Sequence, residues 1–408
     1  MTRLSSEEQV LDFVRAARAS ANAFEIVGGG TRRGAGRPMG DLPVADVGGL
    51  SGIVSYQPEE LILTVRPGTK LDEIKAVLAE KNQCLGFDPV DWAFLAPSGL
   101  RIASAATATS PAYAPHAGEA DLYRGQKATI GGAISADASG SGRLRHGAAR
   151  DSLLGFRAVN GFGEAFNAGG KVVKNVTGFD LPKLVCGAFG TLCVLTELTF
   201  RVFPRPRFSA TLMLKDLPPE QGFAALRKIW QSALEPSGLA YLPGGLNLMG
   251  DVGQGVALVR LEAEEKPLAE KCAAAQILVG ACQPVADGDA LFARLGAGVP
   301  FAAAEALDIW RLFLPPSQAA GVAATLAPPL WYGDWAGGLL WAGMPGEGAA
   351  RVRAVARDAG GHAMLLRATA DRRAALGPFA PQPAALAAIS ARVKAAFDPL
   401  ALFNPGRI

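Results

Sequence analysis

Residues 24–34 read Phe-Glu-Ile-Val-Gly-Gly-Gly-Thr-Arg-Arg-Gly, a short apolar run ending in three successive glycines and two arginines. Glycines in succession let consecutive backbone N–H groups point into one concavity, and the arginines add positive charge beside it. Gly28, Gly29, Gly30, Thr31, Arg32 and Arg33 are therefore suited to holding a diphosphate. An ordinary strand-to-strand turn would use the same glycines, so the loop alone leaves both readings open. It misses the nicotinamide spacing G-x-G-x-x-G, because Arg33 stands where the last glycine is required.

Other chemistries find little support. The three histidines are widely spaced, which argues against a metal site. The five cysteines, at 84, 186, 193, 272 and 282, form no C-x-x-C pair, so no iron–sulfur cluster is expected and free thiols in a reducing compartment are. A net charge of +3 over 408 residues gives no basis for a nucleic-acid partner. The acid-bearing N-terminus lacks an apolar signal region, and no apolar run is long enough to span a bilayer.

The elements that must position such a loop are partly legible. Ser5-x-x-Glu8 suits a capping box opening a helix with Val10, Phe13, Val14 and Ala17 on one face. Residues 61–65 read as a strand, Arg66-Pro67-Gly68 as a turn, and Thr69-x-x-Asp72 as the cap of a helix burying Leu71, Ile74, Val77 and Leu78. In residues 169–200, Asp180 is placed as a helix N-cap with Pro182 in the first turn, and Gly187 and Gly190 end that segment. Residues 192–202 then alternate with a period of two, which predicts a half-buried strand.

This last stretch resembles the FAD-binding signature shared by vanillyl-alcohol oxidase and p-cresol methylhydroxylase (PCMH), matched through Lys174, Asn175, Gly178, Asp180, Gly190, Leu192, Thr196 and Glu197. Within that superfamily the chain is similar, from the first glycine loop to the final Phe403-Asn404-Pro405-Gly406-Arg407, to the FAD-binding subunits of bacterial glycolate oxidases. Residues 129–140 resemble a second superfamily element, TIGGxxxxNxGG, with Asp137 and Ser139 at the asparagine and glycine positions. Arg143 or Arg145 would be needed to offset a charge at Asp137 beside a diphosphate.

The resemblance implies FAD contacts from Thr129, Ile130, Gly131, Gly132, Ser135, Ala136, Gly140, His146, Gly147, Asp151, Gly190 and Val194, added to the first loop. It implies non-covalent FAD, since the first loop holds no histidine, with His116 and His146 the residues left for a covalent link. The implied fold is α+β: a two-subdomain PCMH-type FAD-binding domain at 1–205, an inserted ferredoxin-like cap domain at 206–382, and a C-terminal segment at 383–408 returning to the FAD domain. Residues 88–121, rich in Ala, Ser, Pro and Thr, read as a loop insertion near the flavin.

The implied activity is oxidation of glycolate to glyoxylate, beside a larger FAD-containing subunit and an iron–sulfur subunit, in the cytoplasm or at the inner membrane through those partners. Oxidising a 2-hydroxy acid needs a carboxylate clamp and a base, for which the cap offers Arg311, His362 and Arg367. Each also suits a solvated strand or turn position. A colourless assembly subunit with a vestigial site, and a self-sufficient oxidase of another small acid or alcohol, are the competing readings.

Overall fold

The computed structural model describes residues 1–92, 127–171, 178–246, 248 and 253–408. Lys174, Asn175, His116 and the part of the expected loop insertion beyond residue 92 lie outside the described residues. Two compact units emerge: residues 1–138, 148–204 and 381–408 form the first, and residues 139–147 and 205–380 the second.

In the first unit a parallel three-stranded sheet, Thr2–Arg3, Val44–Asp46 and Glu25–Val27 with the middle of these at its centre, launches the first glycine loop. Helix Glu7–Ala19 covers it, burying Val10, Val14 and Ala17 against Phe24, Ala45, Leu402 and Phe403. Each buried valine, leucine or phenylalanine side chain there contributes about 1.5–3 kcal/mol relative to exposure. The N-cap is Ser6, whose side chain accepts from Gln9 N at 3.2 Å, not the expected Ser5, which is tied to the Gln9 carboxamide instead.

An antiparallel sheet in the order Ile53–Gln57, Ile62–Val65, Val194–Pro204, Leu153–Val159, Ala165–Gly169 forms the other half, with Gln83–Leu85 also on Val194–Pro204. Strand Val194–Pro204 thus has neighbours on both sides, and Leu195 and Thr199 are buried as well as the even positions, so the expected half-exposed alternation gives way to a central strand. Helix Leu71–Ala79 packs Leu71, Ile74 and Leu78 on this sheet. Its N-cap is Lys70; the expected cap, Thr69, instead bonds back to Arg66 O and Gly52 O and fixes the Pro67 turn.

The second unit is one eight-stranded antiparallel sheet made by two βαββαβ repeats. The first runs Phe208–Lys215, helix Pro219–Trp230, Gly238–Pro243, Gly255–Ala263, helix Glu265–Val279, Gln283–Val285. The second runs Asp308–Phe313, helix Ala319–Leu326, Leu330–Asp334, Leu339–Met344, helix Ala349–Asp358, His362–Arg367. In each repeat the strands stand in the spatial order fourth, first, third, second, and the two second strands pair antiparallel through Tyr241 and Gly333. That is the ferredoxin-like arrangement, present twice. All four helices pack one face, with Phe223, Leu226, Leu268, Ala275, Val322, Leu326, Val352 and Ala356 in a single core. The opposite face is covered by helix Gly288–Gly296 and residues 139–147: Arg260 lies over Phe292, Tyr332 donates to Leu295 O at 2.6 Å, and Ser141 donates to Asp334 at 2.6 Å.

Candidate functional site

The first unit holds a cavity where its loops meet. Its lining runs along Glu25–Arg33, then Val47 and Pro67, then Thr129, Gly131, Gly132, Ser135 and Ala136, then Phe189, Gly190, Cys193 and Leu195, and finally Asn404 and Arg407. Stretches distant in sequence are thereby brought around one space, among them the end of strand Glu25–Val27, helix Ile130–Ser135 and the start of strand Val194–Pro204.

Close packing explains the glycines at the junctions. A methyl group on Gly29 would stand 2.0 Å from Lys127 O, and one on Gly131 would stand 2.6 Å from the Pro67 ring. Gly190 has φ +67°, and its added carbon would meet Asn404 Nδ2 at 2.8 Å. Thr129 caps helix Ile130–Ser135, its Oγ1 accepting from Gly132 N at 3.3 Å. The two glycine blocks are thus locked against each other by backbone contact, leaving main chain rather than side chains as the cavity wall.

Charge completes the picture. Arg32, Arg33, Arg407 and Glu25 are the ionised side chains of the lining, a formal surplus of two positive charges. Glu25 is buried and paired with Arg33 and, at 3.5 Å, with Arg407. Arg32 is buried, donates to Val90 O, and lies 5.7 Å from the Trp92 ring. Burial lowers its pKa to about 10, opposed by Asp91, so it stays protonated at neutral pH. Its Nε is buried and makes no hydrogen bond. Three guanidinium groups against one carboxylate leave a surplus that is costly to hold together, and a dianionic diphosphate would balance it.

Of the residues expected to touch FAD, Gly28, Gly29, Gly30, Thr31, Arg32, Arg33, Thr129, Gly131, Gly132, Ser135, Ala136 and Gly190 line this cavity. Ile130 and Val194 do not; both are wholly or nearly wholly buried and point into the packed cores behind it. Val194 points away from the cavity, and its neighbours Cys193 and Leu195 line it. Asp151 accepts from Ala148 N at 2.9 Å and caps a short helix. Asp137 is not in the lining and accepts from Cys186 Sγ at 3.6 Å, so no diphosphate charge conflict arises there.

Gly140, His146 and Gly147 belong to the second unit. His146 is 3.1 Å from Glu262 there, Arg145 pairs with Glu235, and Arg143 lies over Trp335. Asn404, Arg407, Phe189 and Pro67 are lining residues that the sequence reading did not assign. The Phe403–Arg407 motif and the Pro67 turn were both visible, but only as a returning segment and as scaffold.

The three cap residues occupy one sheet of the second unit. Arg311 is buried, its guanidinium 5.1 Å from the Phe313 and Trp341 rings and 5.5 Å from Trp335. His362 stacks on the same Phe313 ring at 4.8 Å, is exposed, and has its pKa lowered by desolvation. Arg367, at the far end of that strand, is buried and donates to Ala304 O at 2.5 Å. Near Arg311 the buried Asp334 accepts from Ser141 Oγ and from Trp335 N at 2.8 Å. Burial raises its pKa to about 6, against the lowering pull of those bonds and of Arg260 and Arg311.

Comparison with known proteins fits this geometry. A family model described as the FAD binding domain matches residues 2–113. Among solved structures, alkyldihydroxyacetonephosphate synthase superposes on 100% of this chain and 77% of its own with a TM-score of 0.67; at 15% identity that likeness concerns the fold alone. The architecture is the PCMH-type FAD-binding fold, and FAD is its cofactor. The glycolate oxidase subunit GlcE of Escherichia coli is 30% identical over 401 residues, 98% of this chain and 97% of that protein. The glycolate oxidase subunit GlcD of Bacillus subtilis is 31% identical over 162 residues, 40% of this chain and 27% of that one. The chain belongs to the family of FAD-dependent oxidoreductase subunits that includes GlcE.

Proposed function

We propose that this chain is the GlcE-type subunit of a glycolate-oxidising complex, and that it holds FAD in the cavity between residues 25–33, 129–136 and 189–195. The observation that carries the site assignment is the two-charge surplus around a glycine-walled cavity. Arg32, Arg33 and Arg407 would balance the diphosphate, and the backbone of Gly28–Gly30 and Thr129–Gly132 would approach it closely. FAD bound there supplies a two-electron acceptor for a CH–OH group. The near-full-length likeness to GlcE supports glycolate as the substrate of the assembled complex.

Oxidation of glycolate to glyoxylate releases two electrons and two protons. With no cysteine spacing suited to a cluster in the sequence, onward electron transfer falls to partners, a larger FAD-containing subunit and an iron–sulfur subunit. Among the described residues no helix is long and apolar enough to cross a membrane, so membrane contact would run through those partners too. In the second unit, His362 is exposed and has a pKa lowered by desolvation, which favours the neutral form that a proton acceptor requires. Arg311 and Arg367 are buried, which suits them to supporting that strand pair rather than meeting a carboxylate from solution.

The test is purification of the chain alone and co-purification with its partners. The isolated chain should carry visible flavin absorbance and turn over glycolate poorly, and the complex should reduce an acceptor dye with glycolate. A colourless chain that gains no thermal stability from added FAD would reduce it to an assembly subunit. Rapid peroxide production from glycolate by the isolated chain would make it a self-sufficient oxidase.

A further inference from the structure

The cavity wall is held from behind by the last residues of the chain. Asn404 sits at φ +41°, a conformation that asparagine tolerates better than most residues. Its side-chain oxygen accepts from Ile26 N at 2.8 Å and its amide donates to Phe189 O at 2.7 Å, while its own backbone N donates to Phe24 O at 3.1 Å. One carboxamide therefore joins the strand that launches the first glycine loop to the turn that precedes Thr191.

Arg407 repeats the device on the other side. Its Nη2 donates to Arg33 O at 2.9 Å and Arg32 O at 3.3 Å, and its Nη1 faces Glu25. The segment just before Asn404 is fixed by Asp398, wholly buried in its side chain, which accepts from Leu402 N and Phe403 N and pairs with Lys394. Lys394 in turn donates to Thr191 O at 2.5 Å. Asn404 and Arg407 are also lining residues, so they set the wall and form part of it.

We propose that Asn404 and Arg407 are positioning residues for the flavin, fixing the Gly28–Arg33 loop and the Phe189–Thr191 turn relative to each other. The C-terminal segment is then a required part of the cofactor site. An asparagine has two donors and two acceptor positions, and Asn404 spends one of each on these strands, so no aliphatic residue can replace it. Arg407 needs its planar fork to reach two successive carbonyls and a carboxylate; a lysine has the charge without the fork. This proposal rests on the cavity being the flavin site.

The experiment compares the Kd for FAD, the visible circular dichroism of bound flavin, and the Tm with and without FAD for Asn404→Asp, Arg407→Lys and the cavity variant Arg32→Met. Asn404→Asp keeps the acceptor for Ile26 N but sets a carboxylate oxygen against Phe189 O. Its Kd should rise at least tenfold with an altered flavin dichroism, and the FAD-induced rise in Tm should shrink more than the FAD-free Tm falls. Arg407→Lys should raise Kd several-fold, and it carries the test if Asn404→Asp does not fold. Wild-type Kd and dichroism in the two C-terminal variants, with Arg32→Met weakened, would overturn the positioning role. Wild-type affinity in all three would instead remove the cavity assignment beneath it.

Discussion

Two buried arginines, one in each unit, show how alike side chains come to mean different things. Arg32 lies in a loop wall beside an open cavity, with Asp91 nearby and a pKa pulled down by burial. Arg311 lies on a sheet face enclosed by three aromatic rings, and its charge acts on the equally buried Asp334. The first stands at a cavity whose lining carries a surplus of two positive charges. The second is enclosed by rings beside a buried acid, which is how a fold holds a unique packing and not how it recruits a ligand.

That contrast is broken most severely by Gly29→Ala. The new methyl would collide with Lys127 O, a backbone atom that cannot swing away, so the first glycine loop must leave its place against the second. The expected outcome is protein purified without flavin and no FAD-induced rise in Tm. Full flavin content in this variant would show that the junction of the two loops is not what makes the site.

The paired substitutions Arg32→Met and Arg311→Met sharpen the comparison next. Loss of one charge-assisted contact is worth about 1.5–3 kcal/mol, so Arg32→Met should weaken FAD roughly ten- to hundredfold. Its FAD-free Tm should hold or rise, because a costly buried cation is gone. Arg311→Met should do the reverse, lowering Tm while leaving Kd for FAD unchanged. Calorimetry and flavin titration of both variants decide it, and a fall in FAD affinity for Arg311→Met would erase the distinction.

Much of the first arrangement was legible because its cause is local. Three glycines in a row, or Thr129 three residues before a backbone donor, announce their geometry within a few residues. Strand polarity across a pleat is less local: nothing in the alternating run says whether Val194 or its neighbours Cys193 and Leu195 face the cavity, and in the structure the neighbours do. Least legible were contacts across hundreds of positions, such as Asn404 to Ile26 and Phe189, or the departure of residues 139–147 into the second unit. The sequence resemblance implies a ferredoxin-like cap at 206–382, and the structure has that arrangement twice.

The smallest expected effect, and the one that tests the self-contained side, concerns Asp334. Its folded pKa of about 6 stands above the unfolded value near 3.8, so between those values the native state binds more protons than the unfolded chain. Stability from this group is therefore greatest below pH 4 and is lost as pH rises to about 6, an effect of about 3 kcal/mol at most. Asp334→Asn cannot titrate, so the Tm of the wild type minus that of the variant should fall between pH 4 and pH 7 and be level beyond. Ser141→Ala removes a donor to the carboxylate, which pushes the pKa higher still. Its cost should be about 1–3 kcal/mol at pH 7, where the carboxylate is charged, and smaller at pH 4, where it is not. Neither change should alter the Kd for FAD. A pH-independent difference for Asp334→Asn would mean that Arg260 and Arg311 outweigh burial, making the cluster an ion network rather than a strained buried acid.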